Sequence, residues 1–193
     1  MSLAIKPRPP LESQHFHVVI IGGGINGVAV ARECARAGKR TLLVEQNDFA
    51  SGVTSRSTRI IHGGLRYLEH GEIALVRESV RERERLLRER SHLVQPAHFL
   101  FLLNEDSQRT AMKVRAGLWL YQRIAGRKSP DLSEMELMRV QRTLDAGHKW
   151  TIFNYEDAQC EFPERLVAEW MTEAAEAGAV VRNHCEVLAV DVA

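Results

Sequence analysis

Two stretches of the chain hold residues whose types and spacing suit chemistry on an anionic ligand. The first is Gly22-Gly23-Gly24-Ile25-Asn26-Gly27, a GxGxxG spacing. In that pattern Gly22 makes a tight turn, Gly24 lets the backbone approach a pyrophosphate, and Gly27 lets a helix pack close to a strand. The free N–H groups and dipole at such a helix N-terminus favour phosphate. The second stretch, Ser55 to Gly71, reads SRSTRIIHGGLRYLEHG, a density of small, hydroxylic and basic residues that suits a backbone wrapped around an anion. Each side chain in it carries two readings. His62 is an acid–base group if geometry allows, or a structural histidine satisfied by backbone. Arg66 is a fork for phosphate or a surface charge. Tyr67 meets a ligand or packs in a core with its hydroxyl satisfied.

These residues need elements to hold them. Val18 to Ile21 is a short apolar, β-branched run, expected as a central parallel strand buried on both faces. Residues 25–37 repeat as a helix, with Val28, Ala31, Cys34 and Ala35 on or near one side and Gly38 as its stop. Thr41 to Val44 is a second strand ending in Glu45, where an acid can accept hydrogen bonds from a ribose. By itself GxGxxG is only a glycine-rich turn; with strand, helix and acid in place it predicts a dinucleotide site. The acid fits a free ribose, so NAD or FAD is favoured over NADP. An NAD-binding half would continue with another helix and a third apolar strand. Instead DFASGVTSRSTR, Asp48 to Arg59, shows no apolar periodicity and is rich in Ser, Thr and Gly. It can supply hydroxyls and backbone donors to a further part of a long cofactor, and its small residues let a flat ring approach the main chain.

GGGINGVAVA, ASGVTSRSTRIIHGGLRYLEHGE, LVRESVRERERLL and KVRAGLWLYQRIAG together resemble the N-terminal part of the FAD-dependent glycerol-3-phosphate dehydrogenases, over most of residues 18–126. HGGLRYLE is the most specific piece, since GxGxxG is shared by many flavoproteins. The resemblance implies that Gly22, Gly24, Asn26, Gly27 and Glu45 hold the adenosine diphosphate part of FAD. Thr54, Ser55, Ser57 and Thr58 would line the pyrophosphate and ribityl chain, and His62, Gly63, Gly64 and Leu65 would run beside the isoalloxazine ring. Arg66 and Tyr67 match family positions near the substrate, a phosphorylated polyol, and with His62 they are the candidate catalytic residues. Val187 matches a position whose backbone contacts adenine. Family members usually carry Asp-Asp-Ala-Arg-Leu where this chain has Glu161-Phe162-Pro163-Glu164-Arg165-Leu166, a departure that bears on the substrate although Arg165 and Leu166 are retained.

The chain has 193 residues, and 26 Lys plus Arg against 25 Asp plus Glu give a net charge of +1, without the basic surplus of a nucleic-acid binder. No apolar run approaches the ~20 residues that span a bilayer, and residues 1–17, with Pro7, Pro9 and Pro10, lack a signal-peptide core. Cys34, Cys160 and Cys185 form no CxxC and suit a reducing, cytoplasmic setting. The histidines show no metal-ligand spacing, so no metal is expected. Residues 72–90 predict a charged helix with an apolar stripe at Val76, Val80 and Leu87, broken by Arg83. Residues 112–126 set Leu118, Trp119, Leu120, Tyr121 and Ile124 among Lys113, Arg115 and Arg123: a packed helix, or a basic amphipathic one lying at the inner face of a membrane. The resemblance adds weight to the second, because these dehydrogenases are commonly peripheral membrane proteins that pass electrons to quinone.

The expected fold class is α/β, a Rossmann-like FAD-binding βαβ unit with a helical insertion, incomplete relative to the glutathione-reductase type. Its segments are a flexible lead-in at 1–17, the βαβ unit and flavin loop at 18–75, a mainly helical segment at 76–150, and a return helix and strand at 151–193. Residues 127–148 read as loop and short helix, Glu164 to Ala177 as a helix stopped by Gly178, and Ala179 to Val181 with Val187 to Val192 as strand. The chain reads as the N-terminal portion of a longer enzyme oxidising sn-glycerol 3-phosphate to dihydroxyacetone phosphate. Two alternatives stand beside that reading: a related flavin oxidoreductase acting on another 2-hydroxy acid or an amine, and a nucleotide-binding fragment without turnover.

Overall fold

A computed structural model describes residues 10–191. Pro7 and Pro9 of the lead-in, and Val192 of the expected last strand, lie outside the described residues. In chain order the elements are β1 (Val18–Ile21), α1 (Ile25–Arg36), β2 (Thr41–Val44), β3 (Ile60–Ile61), α2 (Ile73–Glu89) and β4 (Val94–Leu103). They continue with α3 (Ala111–Ala125), α4 (Glu134–Thr143), β5 (Thr151–Cys160), α5 (Pro163–Glu176) and β6 (Val180–Arg182). Two compact units divide them: residues up to Ser57 together with those from Phe162 onward, and Thr58–Glu161. That division cuts the chain differently from the four expected segments.

The first unit holds a parallel sheet in the order β1-β2-β6. The strand buried on both faces is β2, whose four residues are all buried, and not β1. As an edge of the described sheet β1 leaves Val19 and Ile21 57% and 61% exposed, which corrects the expectation of a central strand. Helix α1 buries Val28, Ala31 and Ala35, while Cys34 is only partly covered. It also buries Arg32, which pairs with Glu173 of α5 at 2.5 Å and lies over the Trp170 ring. α5 opens with Pro163 in its first turn, where the missing N–H has no intrahelical acceptor to lose. Of the strand expected from Val187, nothing forms among the described residues: after β6 the chain runs irregularly to residue 191.

The second unit holds an antiparallel sheet in the order β3-β5-β4, with β4 and β5 paired from Val94↔Cys160 to Leu103↔Thr151. So 76–150 is not only helical: a ten-residue strand crosses it. Pro96 obscures that strand in the sequence, since proline breaks a ladder, but β4 is an edge of this sheet, where proline is tolerated. α2 and α3 lay apolar residues against the sheet, in one cluster of Val76, Val80 and Tyr121 and another of Leu103, Val114 and Leu118. The buried stripe of α2 is Val76, Val80, Arg83 and Leu86. Leu86 therefore replaces the expected Leu87, and Arg83 belongs to the buried face instead of interrupting it. α4 starts at a capping box between Ser133 and Glu136.

Candidate functional site

The glycine turn is built by backbone demands that the sequence spacing encodes. Gly22 sits at φ +109°, open to glycine and strained for other residues, and donates its N–H to Val44 O at 2.8 Å. A Cβ on Gly27 would stand 1.9 Å from Gly22 O, so helix and turn touch directly. Gly24 is the N-cap of α1 and offers no side chain to the first turn. One orphan donor there is satisfied: Ile25 N–H donates to Thr54 Oγ1 at 3.1 Å, which gives the buried Thr54 a defined job beside the helix N-terminus. The next donors, at Asn26 and Gly27, have no acceptor within the helix. That is a donor set suited to a pyrophosphate, and it fits the adenosine diphosphate end of FAD.

Glu45 braces this turn. Its Oε2 accepts from Gly23 N–H at 2.7 Å and its Oε1 from Asn47 N–H at 2.8 Å. Each oxygen keeps a further lone pair for a ribose hydroxyl. The following loop is locked on the same turn. Ala50, buried and at φ 64°, donates its N–H to Gly23 O at 3.0 Å, and Phe49 occupies the space that a Gly23 side chain would need. A non-glycine residue in that region is strained, and such strain persists only where surroundings fix it. Ser55 turns its hydroxyl to Ser51 O and Gly52 O, while Ser57 is exposed. Past β6, Cys185 N–H donates to Glu45 O at 2.8 Å, which keeps the stretch carrying Val187 next to the acid; Val187 itself is 37% exposed.

In the second unit Thr58 is exposed, and His62, also exposed, directly follows β3. Gly64, at φ +82°, caps a 3-10 helix of Leu65–His70. His62, Leu65, Arg66 and Tyr67 line a cavity of about 750 Å³ with Arg109, Tyr155 and Asp157. The structure thus brings the three candidate catalytic residues to one cavity. The side-chain space at Gly63 and Gly64 is taken by the protein itself: a Cβ would meet Tyr121 Oη at 2.1 Å and Tyr67 Cδ2 at 2.6 Å respectively. Packing accounts for glycine at 63, and at 64 the left-handed backbone adds a second demand. Glu69 receives the Arg109 guanidinium through two nitrogens, and that hydrogen bond holds its carboxyl below the usual range. A second cavity of about 690 Å³ shares Leu65, Glu69, Phe101 and Arg109 and adds Lys113.

Sequence reasoning missed three residues: Asp157, which lines the 750 Å³ cavity, and Arg83 and Tyr121 in its polar role, which bond to Asp157. Asp157 Oδ1 accepts from Arg83 Nη1, from Tyr121 Oη and from Gly63 N–H. One signal was available, an arginine occupying a buried step of the α2 stripe, because a buried guanidinium requires an acid partner. Burial and then the Asp157 charge push the Tyr121 phenol up, and burial followed by the same charge does so for Tyr155.

Comparison with known proteins matches the geometry. A glycerol-3-phosphate dehydrogenase of Synechocystis sp. is 42% identical over 183 residues, covering 93% of this chain and 33% of that protein. A D-erythritol 1-phosphate dehydrogenase of Brucella abortus is 40% identical over 179 residues, covering 92% and 35%. The structure of a Bacillus halodurans glycerol-3-phosphate dehydrogenase complexed with FAD aligns at a TM-score of 0.57 and 25% identity, over 94% of this chain and 29% of that one. The chain thus spans about a third of the length of the relatives it matches. Residues 17–193 match the model of the FAD dependent oxidoreductases, with the glycine turn, its acid and the parallel βαβ unit all inside the match, and the chain belongs to that family.

Proposed function

We propose that this chain forms part of an enzyme that oxidises sn-glycerol 3-phosphate to dihydroxyacetone phosphate with FAD. The observation that carries the reading is the cavity on which His62, Arg66 and Tyr67 converge, in a chain whose relatives are named for phosphorylated polyols. FAD, when bound, supplies a two-electron acceptor for the hydride leaving C2, while the C2 hydroxyl gives its proton to a base. The chain's own residues then have separable tasks. The N–H groups of Asn26 and Gly27 and the backbone of Gly22 and Gly24 hold pyrophosphate, and Glu45 accepts from the ribose. Thr54, Ser55, Ser57 and Thr58 serve the pyrophosphate and ribityl chain, His62 to Leu65 lie along the ring, and the Val187 backbone serves adenine. Arg66 grips the substrate phosphate, with Tyr67 and His62 beside it.

Arg66→Ala tests the substrate assignment. A guanidinium suits a phosphate monoester because it offers a planar fork and stays charged at any working pH. In the complete polypeptide kcat/KM for glycerol 3-phosphate is expected to fall about ten- to a hundredfold, mainly through KM, the scale of one charge-assisted contact. Unphosphorylated glycerol should be affected less, and bound flavin should stay. Equal losses on both substrates, or release of flavin, would place Arg66 in support of the fold or cofactor instead. Running D-erythritol 1-phosphate beside them separates the two polyols.

Glu45→Ala tests the cofactor assignment. It removes a ribose acceptor and the brace on Gly23, and FAD affinity is expected to weaken by about 1.5–3 kcal/mol. Retention of FAD through dialysis at the wild-type level would count against the placement of this acid. The electron acceptor is proposed to be quinone, reached at a membrane surface. No helix of the described residues is long and apolar enough to cross a membrane. α3, however, leaves Met112 and Trp119 81% and 61% exposed, with Arg123 over the indole, a pairing that supports contact at a lipid surface.

A further inference from the structure

Asp157 Oδ1 is one acceptor shared by donors from three distant parts of the second unit. Arg83 Nη1 reaches it from α2 at 2.5 Å, Tyr121 Oη from α3 at 2.5 Å, and the Gly63 N–H from the loop after β3 at 3.0 Å. Arg83 Nη1 also donates to Tyr121 Oη at 2.8 Å, and its Nη2 to Glu84 at 2.8 Å. Arg83, Tyr121 and Asp157 are each at most 2% exposed. A buried ion pair is a weak source of stability, since apolar residues of the same volume often serve as well. What this network does that an apolar cluster cannot is grip a particular piece of backbone. The Gly63 N–H needs a buried acceptor and finds it in Asp157. On its other side Gly63 is walled in, because any Cβ there would meet Tyr121 Oη at 2.1 Å and Val80 Cγ2 at 2.9 Å. His62 precedes this clamped residue, and Arg66 and Tyr67 follow on the 3-10 helix capped by Gly64.

We infer that Arg83, Tyr121 and Asp157 are positioning residues that fix the Gly63 backbone and so set how His62, Arg66 and Tyr67 face the 750 Å³ cavity. Arg83 brings the counter-charge, Asp157 the acceptor, and Tyr121 both a donor and the wall. Tyr121 remains protonated at working pH, its phenol pushed up by burial and the neighbouring carboxylate. The kinetic arm of the test rests on the proposed function, and the structural arm does not.

The test is Tyr121→Phe in the complete polypeptide, which keeps the ring and removes one donor to Oδ1. Hydrogen exchange at the Gly63 amide is expected to rise about tenfold, the scale of one weakened hydrogen bond. Amides of the β4–β5 ladder, such as Asn154, should exchange as in wild type. Far below the unfolding midpoint, KM for sn-glycerol 3-phosphate should rise by about the same tenfold factor while kcat changes little and flavin stays bound. A role confined to stability would shift the midpoint and leave KM alone. Wild-type exchange at Gly63, or faster exchange with unchanged KM, would overturn the inference. If the wild-type polypeptide does not turn over glycerol 3-phosphate, the functional reading fails, and the Gly63 exchange rate still decides whether the network holds that backbone.

Discussion

Asp157→Ala is expected to destabilise the Thr58–Glu161 unit by about 3–5 kcal/mol, the cost of leaving one partner of a buried ion pair unmatched. Three donors lose their acceptor at once: the Arg83 guanidinium, the Tyr121 hydroxyl and the Gly63 N–H. The guanidinium dominates, because it cannot discharge itself as a carboxyl can. Its remaining partners, Glu84, Glu156 O and Tyr121 Oη, were already bonded to it and cannot make up the loss. The check is chemical denaturation followed by a probe within 58–161, with limited proteolysis to locate the opening. Arg83→Met combined with Asp157→Leu removes both charges and should cost much less than Asp157→Ala alone. If Asp157→Ala costs under about 1 kcal/mol, the ion pair is hydrated in solution and the burial argument fails.

Gly27→Ala should be the most damaging single methyl group in the first unit. Its Cβ would lie 1.9 Å from Gly22 O, a backbone atom, and backbone geometry fixes the Cβ so that no rotamer change can relieve the clash. The N-terminus of α1 must lift off the turn, at a cost of about 3 kcal/mol, the upper part of the usual overpacking range. Displacement of the same N–H groups should abolish retention of FAD through purification. Absorbance of the purified protein in the oxidised-flavin bands, beside its thermal midpoint, reads both effects. A Gly27→Ala variant that remains yellow and keeps the wild-type midpoint would show that the close approach is not required.

The first unit is legible because its signals are local. The glycine spacing, the helix pattern from Ile25 and the acid at Glu45 lie close together in the chain, and each has a backbone reason that survives folding. The second unit depends on partners far apart in sequence, and there reading residue by residue falls short. Arg83 and Asp157 are 74 positions apart, so neither announces the other. Pro96 disguises β4, and β1 reads as a central strand because an apolar run does not say which of its faces the described sheet covers. Gly63 and Gly64 show how one residue type can have a second reason that lies in distant packing. Their lack of side chains invites a ring in the sequence reading, and Tyr121 and Tyr67 already require it.

The antiparallel pairing of β3 with the end of β5 bears on the order in which the chain folds. Ile60 pairs with Gln159, and Arg59 O accepts from Cys160 N–H at 2.9 Å, so the second unit enters and leaves at one spot. The first unit is discontinuous, and its Arg32–Glu173 pair joins residues 141 apart. Between Arg36 at the end of α1 and Pro163 at the start of α5, closing a loop of about 130 residues costs roughly 1–1.5 kcal/mol more than closing one of about 30, by the logarithmic dependence on length. Once residues 58–161 have collapsed and their ends are stapled, the effective tether between α1 and α5 becomes that short loop. The inserted unit thus acts as an entropic clasp, whose prior folding speeds docking of α5 on α1.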